Sequence, residues 1–456
     1  MKPASFFSAV LSCAAFSLLP NGLLAQTPTP TQTQPQAPAQ AQAPVANKPP
    51  DVVAGIPVNY NEDLVGTYTL PDPLVLANGK KVTDAATWTK QRRPEIRTWF
   101  EQNVYGRAPG KPQKLRFEVF DKGTPALNGK ATRKQVTVYF SERNDGPKMD
   151  LLVYLPANTT KPVPLLLNIN FMPNSMLIND PGVRQGQYWN KDKQKVPAPA
   201  YNPNGFMKLT VEPFLDKGIG VASVYYGDIE PDFDGGIKYG VRSLYLKAGQ
   251  EKFAPDEWGA VAAWSWGLSR ALDYFETDRA VDSKRVALLG ASRLGKTVLW
   301  TGANDPRFAL TIASVSGEGG AALARRNYGE TIAHLVAPTR YPYQFCENYQ
   351  KLANRTDAPM DSHMLVALVA PRPLLLQTGS TDYWSDPKGE FLSATAATPV
   401  YKLLGQQGVP AGPMPAPSQP VGQTLSYYMH DGGHGIISSD YNVFAEFMRA
   451  HLLQSK

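Results

Sequence analysis

The chain has 456 residues, 43% hydrophobic and 19% charged, with a formal net charge of +7. This composition can fill one large globular domain or two ordinary ones, and it excludes a chain disordered throughout. The basic balance suits acidic partners or simply solubility, and with no dense Lys/Arg run and no nucleic-acid motif it does not support nucleic-acid binding.

In chain order, residues 1–25 read as a signal peptide. Lys2 supplies the positive start, Phe6 to Leu19 is mostly apolar, and Ala25 is a small residue for cleavage. The apolar run is too short and interrupted for a membrane span, and no later stretch approaches the roughly 18 apolar residues that one needs. The expectation is an exported protein, periplasmic or secreted, with no membrane span. Cys13 and Cys346 are the two cysteines. Removal of the leader would leave Cys346 alone, so no internal disulfide is expected, and no Cys or His cluster suggests a metal. Residues 26–50 are Thr, Pro, Gln and Ala with almost no large apolar side chains, which predicts a flexible linker. Residues 51–456, even in composition, are expected to form a single folded domain.

Within that domain Gln135–Phe140 and Asp150–Leu155 alternate and predict early antiparallel strands. Val163–Ile169 and Gly220–Tyr226 are continuous apolar runs, as expected of strands buried on both faces. Trp258, Val261, Ala262, Leu268 and Leu272 recur at helical spacing and predict a helix over Asp256–Phe275. A short buried strand at Arg285–Leu289 leads into a helix at Leu294–Asn304. Strands follow at Ala309–Val315 and Pro373–Thr378, with the helical stretch Ser362–Ala370 between them. Thr424–Met429 and Tyr441–Leu453 read as a last strand and a last helix. Strand–helix alternation with doubly buried strands implies an α/β protein: a mostly parallel central sheet with helices on both faces.

The most informative stretch is RVALLGASRLGKTVLWTGA, from Arg285 to Ala303. A buried strand ends at Gly290, Ser292 sits in a tight turn, and a helix begins within two residues. That is the context of a nucleophile elbow, and with it of an α/β-hydrolase fold. The general pattern G-x-S-x-G is displaced here, because Leu294 holds the second glycine position and the glycine follows at Gly295. Such a fold carries its acid and then its histidine after the serine. His434 lies in the Gly-rich loop after the last strand, which suits a general base. His430, the local competitor, sits at the strand end, where packing or capping suits it better. His334, His363 and His451 fall in helical segments. Asp382 is the first acid after the strand Pro373–Thr378. Asp386, the second, precedes Pro387 and suits a turn or helix cap.

The blocks GASRLGK, SGEGGAAL, RNYGET, DSHMLVALVAPRP, TDYWSDPKGE and DGGHG resemble the bacterial glucuronoyl esterases, carbohydrate esterase family 15, from about residue 90 to the end. The resemblance implies hydrolysis of an ester between a glucuronic-acid carboxylate on xylan and a lignin alcohol, by a Ser–His–acid triad with no cofactor. It also implies that Arg293 holds the oxyanion, and that Lys296, Glu330 and Trp384 bind the sugar. The displaced glycine is the family's own variant of the elbow. Some members, particularly fungal ones, carry the acid as a glutamate just after the strand that follows the elbow helix. That position is Val315 here, which leaves Asp382 as the acid and Glu318 in reserve. A monomer is expected. A deacetylase acting on acetylated xylan and a catalytically silent carbohydrate-binding protein are the competing readings.

Overall fold

The computed structural model describes residues 50–157, 159–205 and 207–453. The expected signal peptide, the linker up to residue 49, and Cys13 lie outside the described residues.

Ten strands form the main sheet: β1 Arg116–Ala126, β2 Ala131–Tyr139, β3 Lys148–Pro156, β4 Val163–Asn170, β5 Gly220–Tyr225, β6 Val281–Ala291, β7 Leu310–Ser314, β8 Leu374–Gly379, β9 Val421–Gly422 and β10 Leu425–His430. Their order across the sheet is β9-β10-β8-β7-β6-β4-β5-β3-β2-β1. The six strands from β10 to β5 run parallel. The first three strands and β9 are antiparallel to their neighbours. This is the α/β-hydrolase arrangement expected from the sequence.

The parallel strands are apolar throughout because both of their faces are covered. Alternate residues divide between two cores. Leu165, Leu167, Val286 and Leu288 pack on one side, against helices α2 Ala260–Phe275, α3 Arg293–Asn304, α4 Ser362–Ala367 and α5 Pro387–Leu403. Leu166, Ala287, Leu289 and Ile312 pack on the other, against Phe214 and against Phe444 and Met448 of helix α6 Asp440–Met448. The period-two alternation thus sets the three layers.

Boundaries moved by a few residues. The helix expected from Asp256 starts at Ala260 with Gly259 as its N-cap. Just before it, the chain bridges to Arg107 through Glu257. Among the elements not foreseen are β1, helix α1 Arg93–Phe100, β9 and α5. Helix α5 is rich in Ala and Thr and contains Pro399, so it shows little apolar periodicity. It is secured by Asp386 at its N-cap, which accepts from Gly389 N–H, in line with the cap role expected of that residue.

The sheet order positions the site. Strands β6, β7, β8 and β10 are consecutive neighbours and point the same way. The segments leaving their C-terminal ends, which begin at Ser292, Val315, Ser380 and Asp431, therefore gather at one edge, where ligands bind in open α/β sheets.

Candidate active site

Ser292 occupies a backbone conformation that few non-glycine residues adopt, φ 59° and ψ −128°. Its N–H donates to Ser314 O at 2.9 Å, and its carbonyl accepts the first helical bond, from Lys296 N–H at 3.0 Å. Helix α3 therefore starts directly at Arg293, and the N–H groups of its first turn have no intrahelical partner. Close packing makes this turn possible. A Cβ on Gly290 would lie 2.3 Å from Leu294 O, and one on Gly295 would lie 2.4 Å from Ser314 O.

His434 Nδ1 lies 2.7 Å from Asp382 Oδ2 and 3.1 Å from Ser385 Oγ. The carboxylate is buried and the imidazole is half exposed, at 4% and 45% of the side chain. A carboxylate partner calls for the proton on Nδ1, which leaves Nε2 as the basic nitrogen. The two loops that carry this pair are stitched together. Thr381 N–H donates to Gly432 O at 2.9 Å, Ser380 N–H to His430 O at 3.0 Å, and Ser380 Oγ to Asp431 at 2.8 Å. His430 is buried at the end of β10 between Asp440, at 2.8 Å, and Gly433 O, at 2.9 Å, so it braces the loop. Ser292 and His434 line one cavity of about 340 Å³, although no hydrogen bond joins them among the described residues. Catalytic hydrogen bonds commonly tighten only when substrate is bound.

The cavity wall carries charge. Arg293 is ion-paired with Asp232 and lies 4.5 Å from the centre of the Tyr341 ring. Burial works against its charge, but Asp232 and the neighbouring tyrosines outweigh that and push its pKa up. Lys296 is buried 4.0 Å from Glu330 Oε2. Burial lowers its pKa, with Glu330 opposing the shift. Glu330 also takes Arg340 Nη2 at 3.0 Å, and its N–H donates to Trp384 O at 2.8 Å. Trp384 faces the His334 ring at 5.4 Å and, like Lys296 and Glu330, lines the cavity.

Comparison with known proteins identifies the family. A model of fungal glucuronyl esterases matches residues 251–405. A carbohydrate esterase from an unknown prokaryotic organism is 43% identical over 401 residues, 86% of this chain and 92% of that one. The chain belongs to carbohydrate esterase family 15. The solved glucuronoyl esterase from Solibacter usitatus is 47% identical, with a TM-score of 0.82 over 86% of this chain and all of that one. A solved promiscuous esterase of the family, from a marine bacterial metagenome, is 43% identical, with a TM-score of 0.78 over 87% of this chain and all of that one. As a family 15 member, this chain is a carboxylic ester hydrolase.

Of the residues singled out from the sequence, Ser292, Arg293, Lys296, Glu330, Asp382, Trp384 and His434 all line this esterase's cavity. Glu318 does not, and the reserve acid is corrected on that ground. Its carboxylate turns into the interior, accepting from its neighbour Gly319 N–H at 2.8 Å and Tyr349 OH at 3.0 Å. Burial pushes its pKa up to about 8, with Asp361 adding to the shift. The next loop position after β7 is Val315, which lines the cavity as an apolar residue. Sequence reasoning missed Arg340, Tyr341, Gln344 and Ser385 on the same wall. Arg340 and Tyr341 lie on irregular chain and Gln344 ends the short helical turn Pro342–Gln344, where no periodicity marks them. Ser385 lies inside a block already singled out and could have been found as a hydroxyl near Asp382.

Proposed function

We propose that this esterase cleaves the ester between a glucuronic-acid carboxyl on xylan and an alcohol of lignin. Ser292 serves as nucleophile, His434 as general base and Asp382 as the acid that orients it. The observation that carries the reading is the 2.7 Å Asp382–His434 pair, set in the cavity that also holds Ser292. His434 Nε2 takes the Ser292 proton as Oγ attacks the uronoyl carbonyl. Arg293 and the N–H groups opening α3 stabilise the tetrahedral oxyanion. The imidazolium returns its proton to the departing alcohol, and water cleaves the acyl-enzyme by the same steps. Lys296, Glu330 and Trp384 would hold the sugar. A wall of one buried and two partly buried cations and a buried carboxylate suits a hydroxyl-rich acyl group far better than the methyl of an acetate, which favours a uronoyl ester over acetylated xylan.

The chain would act outside the cytoplasm as a monomer, with residues 1–25 as its export signal, 26–50 as a linker and 51–456 as the catalytic domain. The described residues belong to one unit, Pro49–Lys456, and none of their helices is long and apolar enough to cross a membrane.

Ser292→Ala should lower turnover of benzyl glucuronate by a factor on the order of 10⁵ or more with an unchanged melting temperature. Residual turnover near the parent's would overturn the assignment of the nucleophile. A higher kcat/KM on acetylated xylan than on methyl glucuronate would overturn that of the substrate.

A further inference from the structure

We infer that Asp232 is a positioning residue for the reaction: its carboxylate holds the Arg293 guanidinium on the cavity wall, where it meets the oxyanion. The inference rests on the reading of Arg293 given above.

Asp232 comes from a different part of the fold. It follows the short helix Tyr226–Ile229 that leaves strand β5, two strands away from the elbow. Its side chain is 6% exposed, yet its carboxylate is saturated with donors. Oδ2 takes Arg293 Nη1 and Tyr226 OH, the latter at 3.2 Å, while Oδ1 takes Gln344 Nε2 at 2.7 Å and Tyr343 OH at 3.0 Å. Tyr343 OH also lies 3.0 Å from the Asp232 carbonyl. Three uncharged side chains from two separate segments thus fix a carboxylate whose remaining partner is the guanidinium.

Arginine has many rotamers, and an oxyanion partner helps most when it is already oriented before the charge forms. Arg293 has two restraints of different kinds. Asp232 takes one Nη, and the Tyr341 ring lies 4.5 Å from the guanidinium carbon. Among the described residues Nε and the other Nη make no hydrogen bond, and the residue lines the cavity together with Ser292. The ion pair occupies one edge of the fork and leaves donors available for the reacting carbonyl. A carboxylate that merely neutralised Arg293 would have the opposite effect, weakening its pull on the oxyanion, so the two roles predict opposite signs.

The test is a double-mutant cycle on Asp232→Asn and Arg293→Ala, read as kcat and KM on methyl glucuronate and on 4-nitrophenyl acetate. Asp232→Asn should lower kcat about 10- to 100-fold, with KM changed less than about threefold. In the Arg293→Ala background the same substitution should change kcat less than about twofold, since its effect passes through the missing guanidinium. Tyr343→Phe, which removes one donor to Asp232, should show a weaker form of the same pattern and serves if Asp232→Asn does not fold. An unchanged or raised kcat in Asp232→Asn overturns the inference, as does an equal loss in both backgrounds. Full kcat in Arg293→Ala overturns the reading of Arg293 itself. If the pattern holds on the nitrophenyl ester while glucuronate is not cleaved, the substrate proposal fails and the role of Asp232 stands.

Discussion

Asp382 and Glu318 are both buried acids just past the end of a strand, and their surroundings separate them. Asp382 spends its charge on His434 at 2.7 Å. Glu318, with a pKa of about 8, holds its proton at neutral pH and cannot offer the negative charge that stabilises an imidazolium. Asp382→Asn should therefore lower kcat by roughly 10⁴, the scale seen when a serine-protease triad loses its acid. Glu318→Gln should leave kcat within about threefold, in line with an acid outside the triad. A larger loss in Glu318→Gln than in Asp382→Asn would reverse the two assignments. Glu318 also has a stability signature. Its folded pKa lies above the usual 4.5, so the folded state keeps a proton that the unfolded chain has released. Its contribution is fully present below pH 4.5 and is lost as pH rises towards 8. Thermal melts should find Glu318→Gln gaining on the parent at pH 8 relative to pH 4.5. A gap independent of pH would sink this account.

At the scale of elements, the elbow depends on the phase of α3 as well as on its serine. Leu294, in the general pattern's second glycine position, is fully buried in the core. The following residue is the one that meets strand β7. A methyl there would lie 2.4 Å from Ser314 O and 3.2 Å from Ser316 Cβ, and backbone cannot give way as a flexible side chain can. Gly295→Ala should cost about 1–3 kcal/mol of unfolding free energy, measured from the denaturant midpoint. A variant as stable as its parent would show that the helix can shift freely, against the close packing described here. The displaced glycine was legible in the sequence, but its reason was not, because which face of a helix meets a strand depends on how the two dock.

For the whole molecule, the segment from Ile56 to Glu62 ties the start of the described chain to the site. Asn59 O accepts Gly329 N–H at 2.8 Å, and Asn59 Nδ2 donates to Asn327 O at 2.6 Å. Glu62 pairs with Arg326 and Lys388, each at 2.7 Å. All of these contacts except the one to Lys388 of helix α5 fall on the loop that carries Glu330, so a chain beginning at Gly66 should melt lower and show a raised KM with a smaller change in kcat. Unchanged melting and kinetics would remove the strap from the site. Nothing in the composition of residues 56–62 announces this role, because its partners lie more than 250 residues away. The sequence by itself determined the alternating strands and helices, the two-faced sheet, the serine turn, and the order of Ser292, Asp382 and His434. Those features follow from side-chain periodicity and from local backbone chemistry, which act over a few residues. Only the tertiary structure decided which carboxylate meets the imidazole, that Glu318 turns inward, and that Asp232 reaches Arg293. Each depends on strand order and on loops docking across the sheet edge, and that arrangement is the sum of many distant contacts.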